Sequence, residues 1–180
     1  KASYRISLDN SKGKRDLVHP GFMWKDSSGA HGSSMDLSLA GVPQLRLMHT
    51  AFDKKDIENT KKPFHMVWDP NGSRFITKPA GGLFAHHRGI YFGYNKCAIK
   101  DGQEVDVWHG RRGEHQVYVK TLGTWGGPVF GGHTVQIDWN DREGKTFARE
   151  RRTLLVFRQS KDRSLIEFRT RLEATGADVD

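Results

Sequence analysis

The sequence predicts an all-β protein built as an antiparallel β-sandwich, and two observations carry that prediction. Polar and apolar residues alternate with a period of two through most segments, whereas the helical period of 3.6 residues is nearly absent. Clusters of Gly, Pro, Asn and Asp interrupt these segments at short intervals, as turns between strands do, and the chain holds 20 glycines. A chain of 180 residues with 36% hydrophobic residues can bury one core, so we expect a single domain over residues 1–180.

The first third of the chain carries the weaker strand patterns. Apolar residues alternate at 4–8 and again at 35–39, and a stretch rich in Gly, Ser and His at 27–34 interrupts the pattern. A charged segment at 53–62, ended by Pro63, is the only place where we expect a helical turn. This part of the chain is therefore expected to hold short strands and no separate domain.

A turn also organises the middle of the chain. Asp-Pro-Asn-Gly at 69–72 combines the residue types that favour a tight turn. It predicts a connection between one strand at 64–68 and another at 74–77.

The strongest strand patterns lie in the last third. Alternation at 134–139 leads into a predicted hairpin turn at 140–145, followed by strands at 146–157 and 165–172. The sequence then stops at Asp180 without a closing element. We expect an unfinished sheet in the N-terminal portion of a longer chain, completed by downstream residues or by a second chain.

Composition narrows the function classes. A net charge of +8 raises nucleic acid as a partner, but basic residues are mixed with acids, as in Arg-Glu-Arg-Arg at 149–152, which argues against it. The single Cys97 excludes an internal disulfide and a multi-cysteine metal site. No segment approaches the roughly 18 to 20 apolar residues of a membrane-spanning helix. The chain begins at Lys1 without an apolar signal segment, so either a leader has been removed or the chain has been trimmed.

The adjacent histidines His86 and His87 mark the first candidate site. Residues 86–94 predict a strand with His86, Arg88 and Tyr94 on one face and His87 on the other. Arg supplies forked donors and His supplies a proton or a metal contact, so His86 and Arg88 suit an anionic or oxygen-rich substrate. The competing interpretation is one hydrogen-bonded core histidine and one exposed histidine.

Further histidines at predicted strand ends extend this site to a metal centre. The chain has nine histidines, and convergence of several of them with one carboxylate would hold a single divalent Zn, Mn, Fe or Ni ion. No His-Glu-x-x-His or comparable spacing is present to demonstrate such a site. The candidate ligands are His65, His86 or His87, and His109, with Glu150 or Asp106 as the carboxylate.

Aromatic residues supply candidate substrate contacts. Trp108 lies beside His109, and Trp125 lies in a Gly-rich segment, so both are candidates for stacking on a sugar. We add His65 and Tyr94 as substrate-binding candidates. The sequence has neither the Gly-Lys-Ser/Thr ending of a phosphate-binding loop nor a Gly-x-Ser-x-Gly nucleophile motif.

Several segments together form the pattern of a known family. They include Lys-Pro-Phe-His at 62–65, His-His-Arg-Gly-Ile at 86–90, Asp-Val-Trp-His at 106–109 and Glu-Arg-Arg-Thr at 150–153. With them the chain resembles the PmoA-like family of bacterial proteins over roughly residues 45–180, and His-His-Arg-Gly-Ile is the most specific segment. The family's usual label, methane oxygenase, borrows the name of a membrane subunit, and the lack of an apolar span contradicts it.

This resemblance implies a soluble all-β protein similar to the mutarotase-like supersandwich, with a role in carbohydrate chemistry. It also implies a bacterial protein, for which we expect a periplasmic or secreted location after removal of a leader. The positions that match the family pattern are His65, His86, His87, Arg88, Trp108 and His109.

The leading hypothesis is a carbohydrate-active enzyme, a lyase, hydrolase or epimerase acting on a sugar or on an oxidised sugar such as a 3-keto-glycoside. His86 or His87 would be a base or ligand and His109 the partner acid or ligand. Trp108 would be the sugar platform, and Arg88 or a metal would stabilise enolate-like charge. The alternative is a non-catalytic carbohydrate-binding module. A nucleic-acid-binding β-domain is the third hypothesis.

Overall fold

The structure, a computed structural model, describes residues 21–29, 32–99, 102–160 and 162–175. In chain order the elements are β1 (Phe22–Gly29), β2 (Gly32–Leu39), β3 (Val42–Met48), α1 (Ile57–Thr60), β4 (Phe64–Val67), β5 (Cys97–Ile99), β6 (Gln103–Val105), β7 (His115–Trp125), β8 (Phe130–Asn140), β9 (Thr146–Ser160) and β10 (Arg163–Ala174). The strands form two four-stranded antiparallel sheets, ordered β1-β2-β3-β4 and β10-β9-β8-β7, and a two-stranded hairpin, β5-β6. The prediction of an all-β antiparallel fold is confirmed.

The first sheet joins strands that are neighbours in sequence. Leu37 of β2 lies opposite Leu45 of β3, and both are fully buried on its inner face. The alternation expected at 35–39 is therefore confirmed. The expected interruption at 27–34 is wrong, because β1 and β2 pair with each other through this stretch. The alternation at 4–8 lies outside the described residues.

The second sheet is made of the long C-terminal strands. The turn expected at 140–145 is confirmed, with the Gly144 N–H donating to the Asp141 carbonyl at 3.1 Å. Glu150, Leu154 and Val156 of β9 share one face of the strand, and all three are buried. Among the described strands β10 pairs with β9 alone, so completion of this sheet by a further strand stays a prediction.

The two sheets face each other across a shared hydrophobic core, as in a sandwich. Leu45 and Val67 from the first sheet pack in one cluster with Leu154 and Val156 from the second. Trp139 of β8 is fully buried in a second cluster, which also includes residues of the β5-β6 hairpin. Burial of apolar surface between the sheets is the main force that holds them together.

The connection between β4 and β5 departs most from the prediction. The strand expected at 74–77 is reduced to an isolated bridge formed by Phe75 with Trp68. The strand expected at 86–94 is reduced to an isolated bridge between Ile90 and β4. This irregular connection carries most of the candidate site.

The short helix α1 is the helical turn expected within 53–62. It is stabilised by the Thr60 hydroxyl, which donates to the Asp56 carbonyl at 2.7 Å. In the part of the chain that the structure describes, no helix has the length and apolar character needed to cross a membrane.

Candidate functional site

A group of imidazole and indole rings lies where the β4–β5 connection meets the loop after β6. The His86 ring centroid is 4.2 Å from that of His87 and 4.6 Å from that of His109. The Trp108 ring lies 6.1 Å from the His87 ring. We call His86, His87, Trp108 and His109 the histidine cluster. It brings together four of the predicted site residues at a surface where His87 is exposed and the others are half-buried.

The loop before the histidines explains why His86 and His87 lie on the same side. A strand would have sent them to opposite faces, as the sequence predicted, but Gly81, Gly82 and Phe84 have φ values of 85°, 68° and 53°. Left-handed residues cannot continue an extended chain. The His87 N–H then donates to the Phe84 carbonyl at 2.8 Å and closes a turn. The predicted alternation of faces is therefore wrong.

Arg88 anchors this loop from beneath. Its Nη2 donates to the Ala85 carbonyl and to Glu58 Oε1, each at 2.7 Å, and its side chain has no exposed surface. Burial lowers the pKa of Arg88 from its usual value. Lys78 Nζ donates to the His87 carbonyl at 3.1 Å from the other side of the loop. Arg88 therefore positions the histidines and does not lie on the substrate face that the sequence predicted for it.

His109 is oriented by Asp106, three residues before it. Its ring Nδ1 lies 2.8 Å from Asp106 Oδ2, and its backbone N–H donates to Asp106 Oδ1, also at 2.8 Å. A carboxylate next to Nδ1 accepts a hydrogen bond from the N–H of that nitrogen, which leaves Nε2 for chemistry. Both side chains are about one-fifth to one-quarter exposed, at 20% for Asp106 and 25% for His109. The arrangement is that of an imidazole prepared for proton transfer.

A buried amine lies beneath the cluster. Lys62 is 3% exposed, and its Nζ donates to the Trp108 carbonyl and lies 4.2 Å from the centroid of the Tyr91 ring. Burial, reinforced by the positive charges of Arg88 and Lys61, lowers the pKa of Lys62 to about 6. The surroundings of Lys62 therefore disfavour the protonated form of its amine.

Tyr91 and His86 are both held in their neutral forms near neutral pH. The Tyr91 hydroxyl donates to the His86 carbonyl at 2.9 Å, and burial raises the pKa of Tyr91 to about 12. Desolvation, together with the neighbouring His87 and His109, lowers the pKa of His86 below its usual value. A neutral imidazole keeps one N–H donor and one acceptor nitrogen at pH 7.

A cavity of about 640 Å³ lies on the other side of Lys62. Arg46 and Asn59 contribute polar groups to its wall, and Phe64 and Phe75 contribute apolar ones. Its size falls within the range of small-molecule pockets. Lys62 is therefore shared between the wall of this cavity and the floor of the histidine cluster.

Two predicted site residues lie in the core instead. His65 Nε2 is 2.7 Å from His133 Nε2, both rings are fully buried, and Trp24 stacks on His133 at 4.3 Å. Desolvation lowers the pKa of His65 well below its usual value and that of His133 to about 3. Glu150 is fully buried and accepts from Arg152 Nε at 2.7 Å. The predicted substrate and metal roles of His65 and Glu150 do not fit these positions, because neither side chain reaches solvent.

The two other predicted aromatic contacts differ in their distance from the cluster. The Tyr94 carbonyl accepts from the Trp108 N–H at 2.9 Å, while the Tyr94 ring packs 5.2 Å from Phe92 and 6.2 Å from Trp139, so its substrate role stays a prediction. Trp125 lies at the end of β7. The Gln116 N–H, near the beginning of that strand, donates to the Lys61 carbonyl at 2.8 Å. Nine residues of extended strand place Trp125 about 30 Å from that beginning, so Trp125 is not positioned to share a substrate with His109.

The predicted metal centre is not assembled. Over residues 21–29, 32–99, 102–160 and 162–175, no three His, Cys, Asp or Glu side chains come together as a metal site requires. His65 and Glu150 face the core, and His87 and His109 face the surface of the cluster. The predicted set of three histidines and one carboxylate therefore does not converge on a single ion among the described residues.

Sequence reasoning missed Lys62 and Tyr91 and misjudged Asp106. A Lys-Lys pair before Pro63 is typical of solvated residues, and nothing in the sequence shows that Lys62 is buried. Asp106 was considered only as a metal ligand, although the Asp-x-x-His spacing permits it to orient His109 directly.

Comparison with known protein families matches residues 34–180 to DUF6807, a family of unknown function. No curated protein and no solved structure gives a significant match. The matched residues include Lys62, Asp106 and the whole histidine cluster. Because the match extends over most of its residues, the chain belongs to the DUF6807 family.

Proposed function

We propose that this protein is a carbohydrate-active enzyme, a lyase, hydrolase or epimerase that acts on a sugar or on an oxidised sugar such as a 3-keto-glycoside. The observation that carries the proposal is the pairing of His109 with Asp106 beside the His86 ring. Binding alone requires no oriented imidazole, whereas proton transfer does. The pair therefore favours catalysis over simple recognition.

The reaction that suits this geometry best is elimination from a 3-keto-glycoside. His109 Nε2 takes the proton from C2, which is acidic because it neighbours the C3 carbonyl. The electron pair of the C–H bond becomes an enolate, and the resulting imidazolium faces the Asp106 carboxylate. The enolate electrons then form the C1–C2 double bond as the bond from C1 to the glycosidic oxygen breaks. His109 returns the proton to the departing oxygen, so an enone and an alcohol leave; addition of water to the enone completes hydrolysis.

His86 and Trp108 support this reaction in the proposal. The neutral His86 ring donates its N–H to the enolate oxygen, a role for which a lowered imidazole pKa is suited. The Trp108 ring supplies an apolar face for the sugar. Arg88 keeps His86 and His87 in place through the loop, since its own guanidinium is buried.

The choice of carbohydrate rests on the resemblance to the PmoA-like family and on the aromatic platform beside the imidazoles. A non-catalytic carbohydrate-binding module is the second candidate, since Trp108 and the surrounding histidines also suit stacking and hydrogen bonding to a glycan. The two candidates differ in whether His109 transfers a proton to and from the sugar or only contacts it.

The test is incubation of the protein with methyl 3-keto-β-glucoside, with the enone followed by absorbance and mass spectrometry. We expect product from the wild type, loss of product in His109→Ala, and retained product in His49→Gln, a histidine that contacts Tyr118 outside the cluster. Saturable binding without product would support the binding module. Equal product from wild type and His109→Ala would overturn the assignment of the base.

A further inference from the structure

Two large apolar side chains beside the histidine cluster are exposed to solvent. Leu83 is 79% exposed and Phe84 is 60% exposed. The Phe84 ring centroid lies 5.7 Å from that of His87 and 6.3 Å from that of His86. The apolar surface is therefore in contact with the proposed catalytic groups.

The loop holds Phe84 in this exposed position. Its φ of 53° is uncommon for a residue with a bulky side chain, and such a conformation persists only where the surroundings enforce it. The enforcing contacts are the His87 N–H to the Phe84 carbonyl, the Lys78 ammonium to the His87 carbonyl, and the Arg88 guanidinium to the Ala85 carbonyl. Strained residues of this kind concentrate at ligand sites.

Phe84 and Trp108 both contact His87. The ring of His87 is 5.7 Å from Phe84 and 6.1 Å from Trp108, so the cluster has two aromatic surfaces that share this imidazole. The indole has a polar N–H, whereas the side chains of Phe84 and Leu83 offer no hydrogen-bonding group. A ligand spanning both surfaces therefore needs a polar ring for one and an apolar group for the other.

We propose that Leu83 and Phe84 form an apolar subsite that binds the aglycone of an aryl glycoside while the sugar lies on Trp108. This proposal rests on the proposed function, because it assumes that the histidine cluster takes a sugar. It adds the substrate class: glycosides with an aromatic leaving group are preferred over those with a methyl group.

Calorimetric titration tests the subsite without requiring turnover. The probes are phenyl β-D-glucoside and methyl β-D-glucoside, and we expect the phenyl glucoside to bind the wild type about ten-fold more tightly, from partial burial of the phenyl ring. Phe84→Gly removes the side chain and suits the positive φ, so the loop should keep its shape. We expect this variant to bind the two glucosides about equally, and Leu83→Ala to lose part of the preference.

Val129→Ala is the control, because Val129 is also largely exposed, at 67%, but lies in the β7–β8 connection. It should keep the full phenyl preference. Equal binding of both probes by the wild type, no binding of either, or an unchanged preference in Phe84→Gly would each overturn the subsite.

Sedimentation of the same variants tests whether Leu83 and Phe84 instead form an interface between two copies of the chain. A wild-type dimer that Phe84→Gly disrupts, together with no preference for the phenyl glucoside, would overturn the subsite in favour of that interface. Product formation from methyl 3-keto-β-glucoside is measured separately, so failure of catalysis and failure of the subsite are distinguished.

Discussion

The buried pair of His65 and His133 predicts that the fold is sensitive to mild acid. Both rings are fully buried, their Nε2 atoms are 2.7 Å apart, and neither Nδ1 has a hydrogen-bond partner in the structure. One Nε2 therefore donates and the other accepts, so the accepting imidazole must be neutral, and desolvation disfavours a charge on the donating ring as well. The positive charges of Arg152 and His49 further oppose protonation of His133.

The magnitude follows from the pKa of His133. Folding lowers it from the ordinary 6.5 to about 3, so the unfolded chain binds a proton that the folded chain does not. Stability contributed by the neutral ring is complete above about pH 6.5, and it is lost progressively as the pH falls from about 6.5 to about 3. Acidification from pH 7 to pH 5 lowers the free energy of unfolding by about 2 kcal/mol through His133 alone, and His65 acts in the same direction.

The assay is urea unfolding at pH 7 and pH 5 for the wild type and for the double variant His65→Leu/His133→Phe. Replacing both partners by apolar groups leaves no orphaned donor or acceptor, so the variant should fold. His49 and His115, whose pKa values burial also lowers, remain in both proteins and cancel in the comparison. We expect the wild type to lose at least about 2 kcal/mol more than the variant on acidification. Losses that agree within about 0.5 kcal/mol would show that folding does not hold the pair neutral.

Three further predictions concern single residues. Asp106→Asn should lower kcat on a 3-keto-glycoside by about 100-fold or more with little change in thermal stability, because His109 loses its orienting carboxylate; a change below about two-fold would contradict this role. Lys62→Met should raise the free energy of unfolding at pH 7 by about 1–4 kcal/mol. Burial lowers the pKa of Lys62 to about 6, so at pH 7 the unfolded chain binds a proton that the folded chain does not, and the substitution removes this penalty. That gain should shrink as the pH rises toward 10.5, and a gain that grows with pH would show the opposite linkage. Glu150→Gln should cost about 3–5 kcal/mol in urea unfolding by leaving the buried Arg152 guanidinium without its charge partner, whereas Glu167→Gln on the exposed face of β10 should change stability by less than about 0.5 kcal/mol.

The regular strands could be predicted because their patterns are local. Period-two alternation places Leu154 and Val156 on the inner face of β9, and burial of that face then selects the register. The turn at 140–145 was equally readable, since its residue types set the backbone conformation by themselves. Local chemistry therefore determined most of the sandwich.

The site was harder to predict because it depends on contacts between distant residues. Arg88 meets Glu58 across 30 positions, and that contact turns a predicted strand into an anchored loop. His65 meets His133 across 68 positions, which changes a predicted ligand into a core residue. Periodicity assigns a side chain to a face, and it does not identify the partner that lies opposite.

The sequence predicts that His109 lies close to His86 or His87 only if the predicted strands converge, and it places His86 and His87 on opposite faces. The structure supplies the convergence through positive φ values at Gly81, Gly82 and Phe84. Gly81 and Gly82 adopt this conformation without strain, so their residue type favours it. The left-handed conformation of Phe84 could not be predicted, because it is imposed by the surrounding hydrogen bonds.

Exchange of the C2 proton is the most direct test of whether His109, oriented by Asp106, transfers a proton. Methyl 3-keto-β-glucoside is incubated with the protein in deuterium oxide, and loss of the C2 proton signal is followed by nuclear magnetic resonance. We expect exchange or elimination at C2 with the wild type, none above background with His109→Ala, and exchange slowed about 100-fold with Asp106→Asn. Exchange at the wild-type rate in His109→Ala, or no exchange with the wild type, would show that His109 is not the base.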